Sequence, residues 1–170
     1  HLLNWALRKV LGGHVDQKGS LVDPDRLRFD FANSKAVTGE QLAEVERLVN
    51  EQILADRAVG VNILPLAEAM KIEGVRAVFG EKYPDPVRVI SIGTADPRRA
   101  AGVSVEFCGG AHLDRTAQAG LFKIVAEEAV AKGVRRITAL TGRAPVQYVR
   151  AMADVLGEVT AALKVPAEQI

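Results

Sequence analysis

Apolar residues open the chain at helical spacing. Leu3, Leu7, Val10 and Leu11 share one face of 1–11, which predicts an amphipathic helix stopped by Gly12 and Gly13. A polar stretch, DQKGSLVDPD at 16–25, is punctuated by Gly and Pro and reads as a loop. In LRFDF (27–31) apolar and charged residues alternate, as in a strand with one wet face. Thr38 and Gln41 fit a capping box ahead of a stripe at Leu42, Val45, Val49 and Ile53, which predicts a helix to about residue 56. Residues 59–64 predict a short strand, and 65–73 a short helix with Pro65 in its first turn. VRVISI (87–92) is strand-like and DPRRAAG (96–102) a loop. VSVEF (103–107) alternates again and delivers its end onto Cys108. Two further strands are expected at 122–125 and 134–140, with an Ala/Glu-rich stretch between them.

After Pro145 the pattern changes. Val149, Met152, Leu156, Val159 and Leu163 follow one another by steps of 3, 4, 3 and 4, the seam spacing of a coiled coil. An amphipathic helix docked on its own domain gives the same stripe. Strands and helices interleave irregularly along the whole chain, which predicts an α+β fold.

Composition narrows the class. With 170 residues, 48% of them hydrophobic, the chain suits one domain, or one domain and an appendage, with a core of its own. Its 22 basic and 21 acidic side chains leave a net charge of +1. That balance argues against binding nucleic acid by bulk charge and leaves room for a local basic patch. The single cysteine makes no internal disulfide and suits a reducing compartment such as the cytoplasm. No apolar run reaches membrane-spanning length. The chain starts at His1 and not at a methionine, which reads as a piece of a longer protein.

Candidate chemistry gathers in FCGGAHL (107–113), where Cys108 is followed by two glycines and then by His112. Residue types and spacing leave three readings open. Cysteine and histidine are preferred zinc ligands, and a turn can aim both at one ion. Cys108 at a strand end, with free backbone N–H groups after it, can also be a nucleophile activated by His112. Or Cys108 packs as a small hydrophobe, and Gly109 and Gly110 serve a turn that needs positive φ. His1 and His14 are the other histidines. Taken alone, QKGS (17–20) reads as a loop and GEKY (80–83) as a turn. The pairs Arg98–Arg99 and Arg135–Arg136 can touch phosphates, although paired arginines more often sit in surface ion pairs.

Read in order, these pieces resemble one family. HLLNWALRKVLGGHVDQKGSLV, LRFDF, VNEQI (49–53), FGEKY (79–83), VRVISIG, VEFCGGAH, GLFKIV (120–125) and GVRRITALTG (133–142) follow the order of the editing domain of alanyl-tRNA synthetases. That domain is shared with free-standing alanyl-tRNA editing proteins. CGG-x-H together with FGEKY, QKGS and GVRRI is specific to it. The tail at 143–170, with KVP at 164–166, resembles the start of the helical region that follows editing in the full synthetase.

The resemblance implies an editing domain at 1–142 and the start of a helical, oligomerisation region at 143–170. The implied fold combines helices with a largely antiparallel sheet and a C-terminal amphipathic helix. In the family, zinc is held by an H-x-x-x-H pair and by the Cys and His of CGG-x-H. His1 matches the second histidine of the pair, and Cys108 and His112 match the other two ligands; the first histidine would lie four residues upstream of His1. Ala111 stands where many members have threonine, which is not a ligand position. Gln17 matches a pocket position that affects hydrolysis, and its amide can both donate and accept hydrogen bonds. Gly109 and Gly110 are implied to let the backbone approach the substrate.

The implied activity is hydrolysis of mischarged Ser-tRNA(Ala) and Gly-tRNA(Ala), a zinc-dependent proofreading step, with Cys108 as thiolate ligand and Gln17 as pocket residue. A pocket for alanine cannot strongly reject glycine or serine, so a second site is needed. Zinc would either anchor the substrate's amino group or carbonyl, or acidify a water. The implied partner is the acceptor end of tRNA(Ala), with Arg8, Lys9, Lys18 and Arg98 as candidate RNA-facing cations, self-association through the C-terminal helix of the full-length protein, and a cytoplasmic location. A catalytically inactive tRNA-binding module without a complete metal site is the alternative. ATP-dependent ligation would need another domain.

Overall fold

The computed structural model describes residues 1–77, 82–98 and 102–170. Helix α1 (Leu2–Leu11) leads into the hairpin of β1 (Gln17–Val22) and β2 (Leu27–Ala32), and then into α2 (Gly39–Leu54). Strand β3 (Val59–Leu64), the single-turn helix α3 (Leu66–Ala69), β4 (Val87–Ile92) and β5 (Ser104–Phe107) follow. A 3-10 turn (Thr116–Ala119) connects to β6 (Lys123–Ala131), β7 (Val134–Leu140) and the long helix α4 (Ala144–Leu163). The fold is α+β, with two antiparallel sheets ordered β1-β2-β7-β6 and β3-β4-β5.

Each sheet has its own core. Phe29 and Phe31 on β2 and Ile137 and Ala139 on β7 pack with Leu3, Ala6 and Leu7 of α1 and Val45, Leu48, Val49 and Ile53 of α2. Phe31 is fully buried, and its loss to alanine would cost roughly 3–5 kcal/mol. Leu64, Ala69, Ile72, Val87, Val89, Val105 and Phe107 form the second core, under β3, β4 and β5. Helix α1 ends at Gly12, whose φ of 116° strains any other residue and whose N–H returns to Arg8 O. Helix α2 starts on the capping box of Thr38 and Gln41.

Several expectations need correction. The stretch at 16–25, expected as a loop, is half strand: β1 pairs with β2 from Gln17↔Phe31 to Val22↔Leu27, with an irregularity between Gln17 and Gly19. It is an edge strand whose side chains are mostly exposed, so it has no buried face to write a hydrophobic alternation. Its turn is closed by Asp23, whose carboxylate accepts from the N–H groups of Asp25 and Arg26. The expected 65–73 helix shrinks to one turn, with Pro65 as its N-cap. The Ala/Glu-rich stretch continues β6 without a break, because its acids meet arginines on β7: Glu127 binds Arg135 at 2.6 and 2.5 Å. The alternation in VSVEF does not expose a face; Ser104 and Glu106 are as buried as Val105 and Phe107.

Helix α4 is anchored at its start, where Pro145 is buried and Gly142 N–H bonds Ala119 O at 2.8 Å. Beyond that its seam is uncovered. Val149, Met152, Leu156, Val159 and Leu163 are all exposed, and so is Val155. The helix therefore does not dock its stripe on this domain. Among the described residues no helix is long and apolar enough to cross a membrane.

Candidate metal centre

Strand β5 carries Phe107 to the edge of the second core and releases the chain at Cys108, whose N–H still bonds Arg88 O on β4 at 3.2 Å. The following turn is held from below. Arg88 Nη1 donates to Cys108 O at 3.0 Å and Gly110 O at 2.6 Å and lies 3.3 Å from His112 Nδ1. Past His112 the chain is pinned to the start of β3 and the end of α2: Val59 N–H bonds Asp114 O at 2.9 Å, and Thr116 Oγ1 donates to Gln52 O at 2.7 Å. Neither Gly109 nor Gly110 lies at positive φ, so left-handed backbone is not why this turn has glycines. Both are exposed, and a Cβ at Gly109 would meet nothing within 4 Å.

The N-terminus of α1 meets this turn. The donor atoms of His1, Cys108 and His112 all lie within 4.8 Å of one another. His1 Nε2 is 2.9 Å from His112 Nε2, and the rings stack at 5.1 Å with 19° between planes. One thiol and two imidazoles converging from two segments suit a borderline-soft cation such as zinc. His14 stands apart and bonds Asn33 Oδ1 at 2.9 Å. Gln17 begins β1, is partly buried, and its amide donates to Ser20 Oγ at 3.3 Å; it makes no hydrogen bond to the cluster.

Behind His1 lies Glu106, which the alternation of VSVEF does not single out. His1 Nδ1 is 2.7 Å from Glu106 Oε2. Glu106 Oε1 accepts from Ser104 Oγ at 2.9 Å and Asn4 Nδ2 at 3.4 Å, and Arg76 Nη1 is 3.4 Å away. Burial favours the neutral acid, but the hydrogen bond and charge of His1, then Arg76 and Ser104, hold the carboxyl below its ordinary range. Burial likewise opposes the imidazolium of His1, yet Glu106 and, less, Cys108 raise it above its ordinary value. His112 is pushed down by burial and by the charges of His1 and Arg88. Arg76 is pulled down by burial, with Glu106 opposing. Nothing in a period-two pattern marks a strand acid as buried; the only signal is its place two residues before Cys108.

The candidate RNA-facing cations are largely engaged. Arg8 pairs with Asp16, Arg98 with Asp96, Arg135 with Glu127 and Arg136 with Asp30. Lys9 lies 5.0 Å over the Trp5 ring, and Lys18 is exposed. Arg99 and, in FGEKY, Phe79, Gly80 and Glu81 lie outside the described residues. Tyr83 of that motif packs edge-on against Phe107, with centroids 5.1 Å apart.

Residues 87–138, from β4 into β7, match the family described as threonyl and alanyl tRNA synthetase second additional domain. Over 165 residues, 97% of this chain, it is 50% identical to the alanine–tRNA ligase of Dechloromonas aromatica (strain RCB). It is 46% identical over 170 residues to that of Paracidovorax citrulli (strain AAC00-1), all of this chain being matched. It is 47% identical over 174 residues, 98% of this chain, to the mitochondrial alanine–tRNA ligase of Saccharomyces cerevisiae (strain ATCC 204508 / S288c). Residues 87–138 thus match the synthetase-associated domains of this kind, and the identity along nearly the whole chain supports an alanyl-tRNA-synthetase editing-type domain. It spans 17–18% of the length of these curated relatives.

Proposed function

We propose that this domain is a zinc-dependent editing hydrolase that removes serine and glycine from mischarged tRNA(Ala). The observation that supports this best is the convergence of His1, Cys108 and His112 on one point beside an exposed, side-chain-free backbone at Gly109 and Gly110. Cys108 as thiolate and His1 and His112 as neutral imidazoles would hold the metal. Bound zinc would supply a Lewis acid toward the ester or its amino group, or toward a water.

The chain's own residues would do the rest. The open backbone at Gly109 and Gly110 leaves room for the acceptor end. The Gln17 amide would pair with a seryl hydroxyl, whereas an alanyl ester would leave it unpaired, and an unpaired polar group costs about 1–3 kcal/mol. That penalty is about one to two powers of ten in rate, which suits a site that must spare correct product. Residues 1–142 would form the editing unit. Residues 143–170 would begin a helical region through which the longer protein self-associates. The cytoplasm, where charged tRNA is used, is the proposed location.

Hydrolysis of Ser-tRNA(Ala) in the presence and absence of a chelator tests the reading. Loss of hydrolysis on chelation and recovery with zinc is the expected result. Hydrolysis that survives chelation but not Cys108→Ala would return Cys108 to the role of nucleophile. No hydrolysis by zinc-loaded protein would leave only a tRNA-binding module.

A further inference from the structure

Glu106 is among the most buried acids of the chain, and it touches both segments that bring the donor atoms together. It sits on β5, two residues before Cys108, and reaches His1, the N-cap of α1, and Asn4 in the first turn of that helix. We infer that Glu106 is a positioning residue for the metal centre: its Oε2 accepts a hydrogen bond from His1 Nδ1–H, which keeps the proton on Nδ1 and so presents His1 Nε2, unprotonated, to Cys108 and His112. The purpose of this arrangement rests on the zinc reading above. The tautomer itself is a property of the metal-free protein.

The geometry allows little else. The two nitrogens of an imidazole lie on opposite flanks of the ring. Glu106 holds Nδ1 at 2.7 Å while Nε2 faces His112 Nε2 at 2.9 Å, so the carboxylate lies behind the ring. It is a poor candidate for a fourth ligand and a good one for an orienting acceptor, since ligating histidines commonly donate their second N–H to a carboxylate. The carboxylate cannot swing away. Ser104 Oγ and Asn4 Nδ2 donate to Oε1, and Arg76 approaches the same atom. Two hydrogen bonds and the Arg76 charge on Oε1 leave Oε2 for His1.

This asymmetry sets the test. In Glu106→Gln the Ser104 and Asn4 donors and the nearby Arg76 charge keep the amide oxygen at the Oε1 position, so the amide NH2 faces His1 Nδ1. A donor there forces Nδ1 to accept and moves the proton to Nε2, the nitrogen a metal needs bare. Nitrogen-15 spectra of the histidine rings, recorded at a pH well above the imidazole range, read the tautomer without metal. Wild type is expected to show His1 as Nδ1–H, and Glu106→Gln as Nε2–H. Zinc affinity, measured by competition with a chelator, is expected to fall roughly 10–100-fold in Glu106→Gln and to recover in part in Glu106→Asp. Near-UV circular dichroism checks that the variants stay folded.

A wild-type His1 protonated on Nε2 overturns the inference, whether or not the variants fold. So does a folded Glu106→Gln that keeps the Nδ1–H tautomer or binds zinc as tightly as wild type. If the wild type binds no zinc but shows the expected tautomer and its reversal, the positioning role of Glu106 holds and the zinc reading fails instead.

Discussion

Arg88 spans the turn that carries Cys108: from β4, one guanidinium nitrogen donates to the carbonyls of Cys108 and Gly110, at 3.0 and 2.6 Å. The turn has few other internal bonds to fix it, and its glycines carry no side chain to pack. A charged, planar donor on neighbouring carbonyls is a strong constraint. Arg88→Ala is expected to leave the fold intact and to weaken zinc binding by about tenfold, because Cys108 and His112 lose their fixed separation. Arg88→Lys, which keeps the charge and a single donating nitrogen but not the planar guanidinium, should recover only part of this. Chelator competition measures it, and an unchanged affinity would mean the turn is rigid without Arg88.

Gln17 lies outside the donor cluster, and its side-chain amide bonds Ser20 within its own strand. Gln17→His is therefore expected to lower the rate of seryl-ester hydrolysis, or its preference over alanyl ester, with zinc content unaltered. Metal analysis of the purified variant is the check. Zinc loss would place Gln17 at the metal and not in the pocket.

Asp30 and Arg136 make a two-pronged pair across β2 and β7, at 2.6 and 2.8 Å. The hydrogen bond from Arg136 is the largest influence, burial opposes it, and the charges of Arg136 and Arg28 add to it; together they hold the Asp30 carboxyl below its ordinary range. A depressed folded-state value means the unfolded chain binds the proton more readily. The pair's stabilisation is thus present above the ordinary aspartate range and lost as pH falls through the folded value. Wild type should melt a little above Asp30→Asn near neutral pH, and the gap should close in acid. A gap that is constant with pH would contradict this.

The exposed seam of α4 makes a separate prediction. Replacing Met152 and Leu156 by glutamine should change thermal stability by no more than about 0.5 kcal/mol, as for other surface sites. If the seam is an interface of the longer protein, the same changes should reduce self-association in sedimentation experiments. A large loss of stability would mean that the face packs on this domain in solution.

Much of the fold is legible in the pattern of residues. The stripe of α1, the capping box of α2 and the alternation of β2 each give their element, because each buries one face. β1 is not legible, since an exposed edge strand is held by its ladder to β2 and by the Asp23 turn. The site divides in the same way. Cys108 and His112 are neighbours in sequence and visible as a pair. His1 joins them only through resemblance, because no local rule brings a helix start to a turn more than a hundred residues away. Glu106, Arg88 and Arg76 were invisible. Their roles depend on what lies across the sheet, and period-two reasoning assigns a strand acid to water by default.

The most direct test of the whole account is a single-turnover comparison of Ser-tRNA(Ala) and Ala-tRNA(Ala) with the zinc-loaded protein. The account predicts that the seryl ester is cleaved faster than the alanyl ester by at least about fivefold, the lower end of what an unpaired polar group costs. Equal rates for the two esters, or cleavage of neither, would contradict it.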